Sequence, residues 1–170
     1  LERLQAKTGI NPWEYVVKQP AAYVWDSLMH GLGEPLPDEI EHERNTFPRP
    51  AWNVRAPETH GLPGETWWEV DQRRNRFAEI LASAQAGDIN NVDKAVTANL
   101  DLESLATRVI DGMDTPANIV TAWRILSGLK IIDPTCGSGA FLFAALKIML
   151  SLYDAVIDAA RAHIATAADL

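Results

Sequence analysis

The sequence predicts a mostly α-helical chain whose last third opens into one strand–turn–helix unit. Three observations predict it. Apolar residues recur at three-and-four spacing from about residue 66 to residue 128, the period of one helix face. A single β-branched run, Leu129-Lys130-Ile131-Ile132, then enters a glycine-rich turn. After Gly139 there is no Gly or Pro, and 10 of the last 31 residues are Ala, which is helix composition.

The chain has 170 residues, enough for one domain or a compact domain with an arm. Its hydrophobic and charged fractions are those of an ordinary globular protein, which argues against disorder and low-complexity repeats. Fifteen Lys and Arg against 23 Asp and Glu give a net charge of −8. A free-standing nucleic-acid clamp carries the opposite sign, so any phosphate contacts are local or lie elsewhere. One cysteine excludes an internal disulfide and a cysteine-rich metal site, and suits a reducing cytoplasm. No metal site is expected, because none of the four histidines has ligand spacing. No secretory signal and no membrane span are expected. Ala140 to Leu150, the longest apolar stretch, is broken by Lys147 and too short for a bilayer. A chain that begins at Leu1 is expected to be processed or cut from something longer.

Eight of the ten prolines precede residue 64, and five of the six tryptophans lie in the first 68 residues, which sets off an arm over 1–64. Residues 1–33 read as short helices. Residues 34–64, with Pro35, Pro37, Pro48 and Pro50, read as extended, with Phe47, Trp52 and Val54 as anchors. A helical region follows over 65–114. Thr66-Trp67-Trp68-Glu69 fits a capping box, and Val70, Phe77, Leu81 and Ala84 make a stripe that Gly87 ends. The tryptophan pair is expected to pack on the core rather than stack on a base. Arg73, Arg74 and Arg76 fit DNA contact less well than a salt-bridged face with Glu69, Asp71 and Glu79. Asp101 caps the stripe Leu102, Leu105, Ala106, Val109, Ile110 and Met113, which Gly112 stops. Thr115 and Pro116 open the next helix, with Ile119, Val120, Trp123 and Leu126 as its buried face. In the last helix Phe141, Leu142, Ala145, Met149 and Leu152 form one apolar side. Phe143, Leu146 and Leu150 form another, so burial on more than one side is expected.

The chemistry concentrates in Asp133-Pro134-Thr135-Cys136-Gly137-Ser138-Gly139. A strand, a turn with glycines two apart and a buried helix make the opening unit of a nucleotide-binding α/β sheet. Gly137 and Gly139 let the backbone bend and a ligand approach, and the free amides beyond them attract carboxylate or phosphate oxygens. Asp133 can accept from an ammonium or a water. No Gly-Lys-Ser/Thr follows, so this is not a P-loop, and the third glycine of a dinucleotide turn would fall at Leu142. Cys136 lacks a positioned histidine that would make it a nucleophile.

The string Ile131 to Leu142 closely resembles the S-adenosylmethionine-binding motif of the DNA amino-methyltransferases, Asp-Pro-x-Cys-Gly-Ser-Gly, a small residue, then Phe-Leu. Thr115-Pro116 with Ile119-Val120 resembles the Thr-Pro element that precedes it. The run from Trp67 to Leu102 looks like PglX-like phage-defence enzymes and type IIG restriction–modification methylases. The resemblance implies a truncated Rossmann-like domain beginning over 115–170 and a cytoplasmic, S-adenosylmethionine-dependent DNA adenine-N6 methyltransferase. Its cofactor residues would be Thr115, Pro116, Asp133, Pro134, Thr135, Cys136, Gly137, Ser138, Gly139 and Phe141. Double-stranded DNA, with the target base flipped, would be the partner of the complete protein. The family's catalytic Asn/Asp/Ser-Pro-Pro-Tyr/Phe loop has no counterpart here, since the chain holds no Pro-Pro pair, and no acidic residue for the ribose stands out. No catalytic residue is therefore assigned, and the chain alone is expected to be inactive. Two alternatives stand beside this. One is a non-catalytic helical interaction module with a vestigial turn, gripping a partner through residues 34–64. The other is a piece of a methyltransferase acting on protein glutamine. The unpaired strand and the doubly apolar helix predict self-association of the isolated chain.

Overall fold

The computed structural model describes residues 1–135 and 137–168. The chain is mostly helical. Helices α1 (Glu2–Thr8), α2 (Trp13–Lys18), α3 (Asp26–Met29) and α4 (Asp38–Glu43) make up the arm with two 3-10 turns, Pro20–Tyr23 and Pro50–Asn53. Then come α5 (Trp67–Gln85), α6 (Val92–Thr97), α7 (Leu102–Asp111), α8 (Pro116–Ser127) and α9 (Ala140–Ala168). Their starts follow the caps. The Thr66 and Glu69 side chains each bond the other's main-chain amide, and Asn91, Asp101 and Thr115 accept from the amides of Lys94, Ser104 and Asn118.

The main core does not respect the three sequence zones. Leu4, Trp13, Val16 and Tyr23 from the arm pack with Ile80, Leu105, Val109, Ile119 and Val156. A second, smaller core of Ile40, Trp52, Trp67 and Val70 joins the proline-rich segment to the start of α5. Residues 34–64 are thus less extended than expected. Trp52 is an anchor, buried with its indole N–H donating to the Ile40 carbonyl at 2.9 Å. Phe47 and Val54 are not, and Phe47 is 94% exposed. Trp67 is buried but Trp68, one position round the helix, faces solvent.

Two expectations about the last helices are overturned. On α8 the buried positions are Ile119, Ala122 and Leu126, while Val120 and Trp123 lie exposed on the flank. On α9 the stripe through Met149, Leu152, Val156 and Ala159 packs against α7 and α8, but Phe143, Leu146 and Leu150 are uncovered. Nothing among the described residues lies over that side. By length and composition alone Ala140–Thr166 is long and apolar enough to cross a membrane, which the shorter stretch Ala140–Leu150 did not suggest. Its later turns are part of the core instead.

Candidate functional site

The expected strand at residues 129–133 does not form. α8 ends as the Gly128 and Leu129 amides bond back to Arg124 and Leu126, and the chain then runs without regular structure to Asp133. The physical reason is pairing. A strand needs a neighbour to take its ladder hydrogen bonds. The β-pairing among the described residues is one isolated bridge, Arg55 to Thr66, at the foot of the arm. Ile131 and Ile132 are therefore left in solvent, Ile132 being 80% exposed.

The turn itself is built as expected of its glycines. Gly137 and Gly139 both take positive φ, +43° and +75°, the left-handed region that a side chain disfavours. The Gly139 carbonyl accepts from the Phe143 amide at 2.9 Å, which closes the first turn of α9. The amides of that first turn have no partner within the helix and point back toward the loop. Asp133 folds the turn from the other side, its Oδ1 accepting from the Thr135 amide at 3.0 Å and the Thr135 hydroxyl at 3.2 Å. Among the described residues these bonds use Oδ1 alone. Pro134, Thr135, Gly137, Ser138 and Phe141 are exposed, and Asp133 and Gly139 are half-buried. The expectation for Cys136 falls outside the described residues.

Thr115 and Pro116 do not join this turn. The Thr115 hydroxyl caps α8, accepting from the Asn118 amide at 3.3 Å. Pro116 lines a cavity of about 310 Å³ with Ile119, Val120, Ala160, His163 and Ile164. That places it beside the late turns of α9, whereas the glycine turn lies at the first. At 1.5 Å per residue the two ends are separated by about 30 Å along the helix. The structure bonds Asp133 to Thr135 and sets Gly137 and Gly139 at the entry to α9, and leaves the Thr-Pro element at the far end.

The histidines hold main-chain positions. His30, His60 and His163 each bond a carbonyl through Nε2, those of Glu58, Pro35 and Met113, at 2.7 to 3.1 Å. No group of three or more His, Cys, Asp or Glu side chains among the described residues converges as a metal site would.

The arginines of α5 have a role the sequence did not signal. Arg73 is buried, and its guanidinium donates to the carbonyls of Leu28 (3.3 Å), His30 and His60 (2.9 Å) and to the Glu65 carboxylate (2.9 Å). Burial alone would raise the Glu65 pKa, but hydrogen bonds from Arg73 and the Leu62 amide, with the Arg73 charge, bring it below the usual value. Arg74 donates to the carbonyls of Gly31 (2.6 Å) and Glu34 (2.7 Å). Burial, with the Arg73 charge beside it, lowers the Arg74 pKa. Arg76 alone finds an acid on its own helix, Glu79 at 3.7 Å. Asp71 pairs instead with Arg44 at 2.8 Å, and Glu69 is spent on the cap. These cations clamp the arm to α5. Helical spacing shows pairs within one helix, so a clamp to loop carbonyls some 43 positions upstream gives no periodic signal.

No protein family, curated protein or solved structure matches the chain in sequence or structure comparisons.

Proposed function

We propose that this chain contributes the amino-acid half of the S-adenosylmethionine site to a DNA adenine-N6 methyltransferase of a bacterial restriction–modification or phage-defence system. One observation carries the reading: the string Asp133 to Leu142, in which a carboxylate that folds the turn is followed by two left-handed glycines leading into a 29-residue helix. The donor set suits the amino-acid end of the cofactor. The free Asp133 oxygen would accept from its ammonium, and the first amides of α9 would hold its carboxylate. Gly139 suits that approach, because its positive φ is one that a side chain would strain. The cofactor, when bound, supplies an electrophilic methyl group. The sequence holds no Pro-Pro pair of the family's catalytic loop, so on this reading the chain would hold cofactor without transferring the methyl.

Titrating S-adenosylhomocysteine into the chain should shift the amide resonances of Gly137, Gly139 and residues 140–142. Gly139→Asp, which puts a negative charge where the ligand carboxylate belongs, should abolish those shifts while the helical circular dichroism stays. Shifts that miss the turn, or that survive Gly139→Asp, sink the reading.

A second reading, a non-catalytic interaction module, is favoured by the exposure of Ile132, Phe143 and Leu150. It takes the turn as a helix start and nothing more, and predicts no response to the same titration.

A further inference from the structure

The side of α9 that carries the uncovered Phe143, Leu146 and Leu150 is patterned. Phe143, Leu146, Leu150, Tyr153, Ile157, Ala160 and Ile164 follow one another at spacings of three, four, three, four, three and four residues, the a/d repeat of a coiled-coil seam. Phe143 is 71% and Ile164 70% exposed, and Leu146, Leu150 and Ile157 also face solvent. The seam runs about 30 Å along the helix. It runs beside the core-facing stripe of Met149, Leu152 and Val156, and the half-buried Tyr153 and Ala160 mark its border with the core, Tyr153 packed edge-on against Trp123 of α8 at 5.2 Å.

We propose that two copies of this chain pair through this seam as an antiparallel helix dimer. The repeat calls for a helix as occupant, since 3.5-residue periodicity matches the knobs of one helix to the holes of another. The arrangement of sizes and charges selects an antiparallel copy. With a two-fold axis passing beside Ser151 and Leu152, Phe143 of one copy meets Ala160 of the other, Leu146 meets Ile157, and Leu150 meets Tyr153. The bulkiest side chain of the seam, Phe143, then faces its smallest, Ala160, whereas a parallel pairing would stack Phe143 on Phe143 and Ala160 on Ala160. The same register carries Lys147 of one copy to Asp154 of the other, twice. Neither residue has an ion-pair partner among the described residues. A bilayer is a poorer occupant. Spanning it takes about 20 residues, so Leu152, Ala155 and Val156 would have to leave the core. The inference does not rest on the cofactor reading.

Light scattering behind size-exclusion chromatography tests it on the 170-residue chain. A dimer at micromolar concentration is expected, and a monomer at every concentration overturns the proposal. Leu150→Glu, at an exposed position, should give a monomer with unchanged helical circular dichroism; a dimer that survives it places the interface elsewhere and overturns the seam. Charge reversal checks the register without touching apolar packing. Lys147→Asp or Asp154→Lys alone should weaken the dimer by about tenfold, and the two together should restore it. Failure of the double variant to restore it overturns the antiparallel register. Co-sedimentation of a monomeric chain with phosphatidylcholine–phosphatidylglycerol vesicles would assign the seam to lipid and overturn it as well.

Discussion

The arm and the leading half of α9 solve the problem of burial in opposite ways. The arm is rich in proline and poor in long helices, yet its polar groups are drawn inward. Arg73 and Arg74 gather the carbonyls of Leu28, His30, Gly31, Glu34 and His60, and Trp52 is fixed by its indole N–H. The leading half of α9 is a regular helix with every internal hydrogen bond available to it, but Phe141, Phe143, Leu146 and Leu150 stay in solvent. Regular backbone and burial are therefore separate achievements here. The irregular region is closed by buried charge, while the regular one is left open on a patterned apolar face.

Removing the clamp should break that contrast most severely. Arg73→Met keeps an apolar stem but leaves the carbonyls and the Glu65 carboxylate without their donor, and should cost about 3 kcal/mol. Urea unfolding followed by tryptophan fluorescence would read it, since most of the tryptophans lie in the arm and at the start of α5. A loss under about 1 kcal/mol would mean that the arm is held by its apolar contacts in the two cores rather than by the clamp.

A milder test uses pH. The Glu65 pKa is lowered in the folded state, so its contribution is present above the unfolded value of about 4.3 and is lost as pH falls through the folded one. Glu65→Gln should be less stable than the wild type near neutral pH and should show a shallower loss on acidification. Urea midpoints measured down the acid limb decide it; parallel curves for the two proteins would remove Glu65 from the clamp. At the open end the expected effect is smallest. Ile132→Ser changes a side chain that touches little and should move stability by no more than about 0.5 kcal/mol in the same unfolding assay. A larger loss would reveal a buried role for residues 129–133.

The difference between the regions also explains what could be read from the sequence. The capping box at Thr66, the caps at Asp101 and Thr115 and the buried face of α7 were legible, because they depend on residues within one or two turns, whereas on α5 Val70 and Ala84 are buried as expected but Ile80 takes the core place expected of Leu81. α6 carried the signal of Asn91 at its start and was missed, being too short to show a period. On α8 the repeat was seen, but the choice between the Ile119–Ala122–Leu126 line and its neighbour with Val120 and Trp123 is set by what packs against it. The β-branched run before Asp133 reads as strand, yet a strand's existence belongs to two segments and only one is present. The glycine turn was legible because φ is a local property of Gly137 and Gly139. That Thr115-Pro116 sits far from it follows from how α8 and α9 lie side by side, which spacing along the chain does not reveal.

The clamp has a consequence for the order of folding. α5 needs only its own neighbours to form, but the acceptors that Arg73 holds at Leu28 and His30 lie 45 and 43 positions away. Closing so long a loop costs chain entropy before any of those contacts repays it. On that ground the clamp between the arm and α5 is expected to close only after the helix that carries Arg73 has formed.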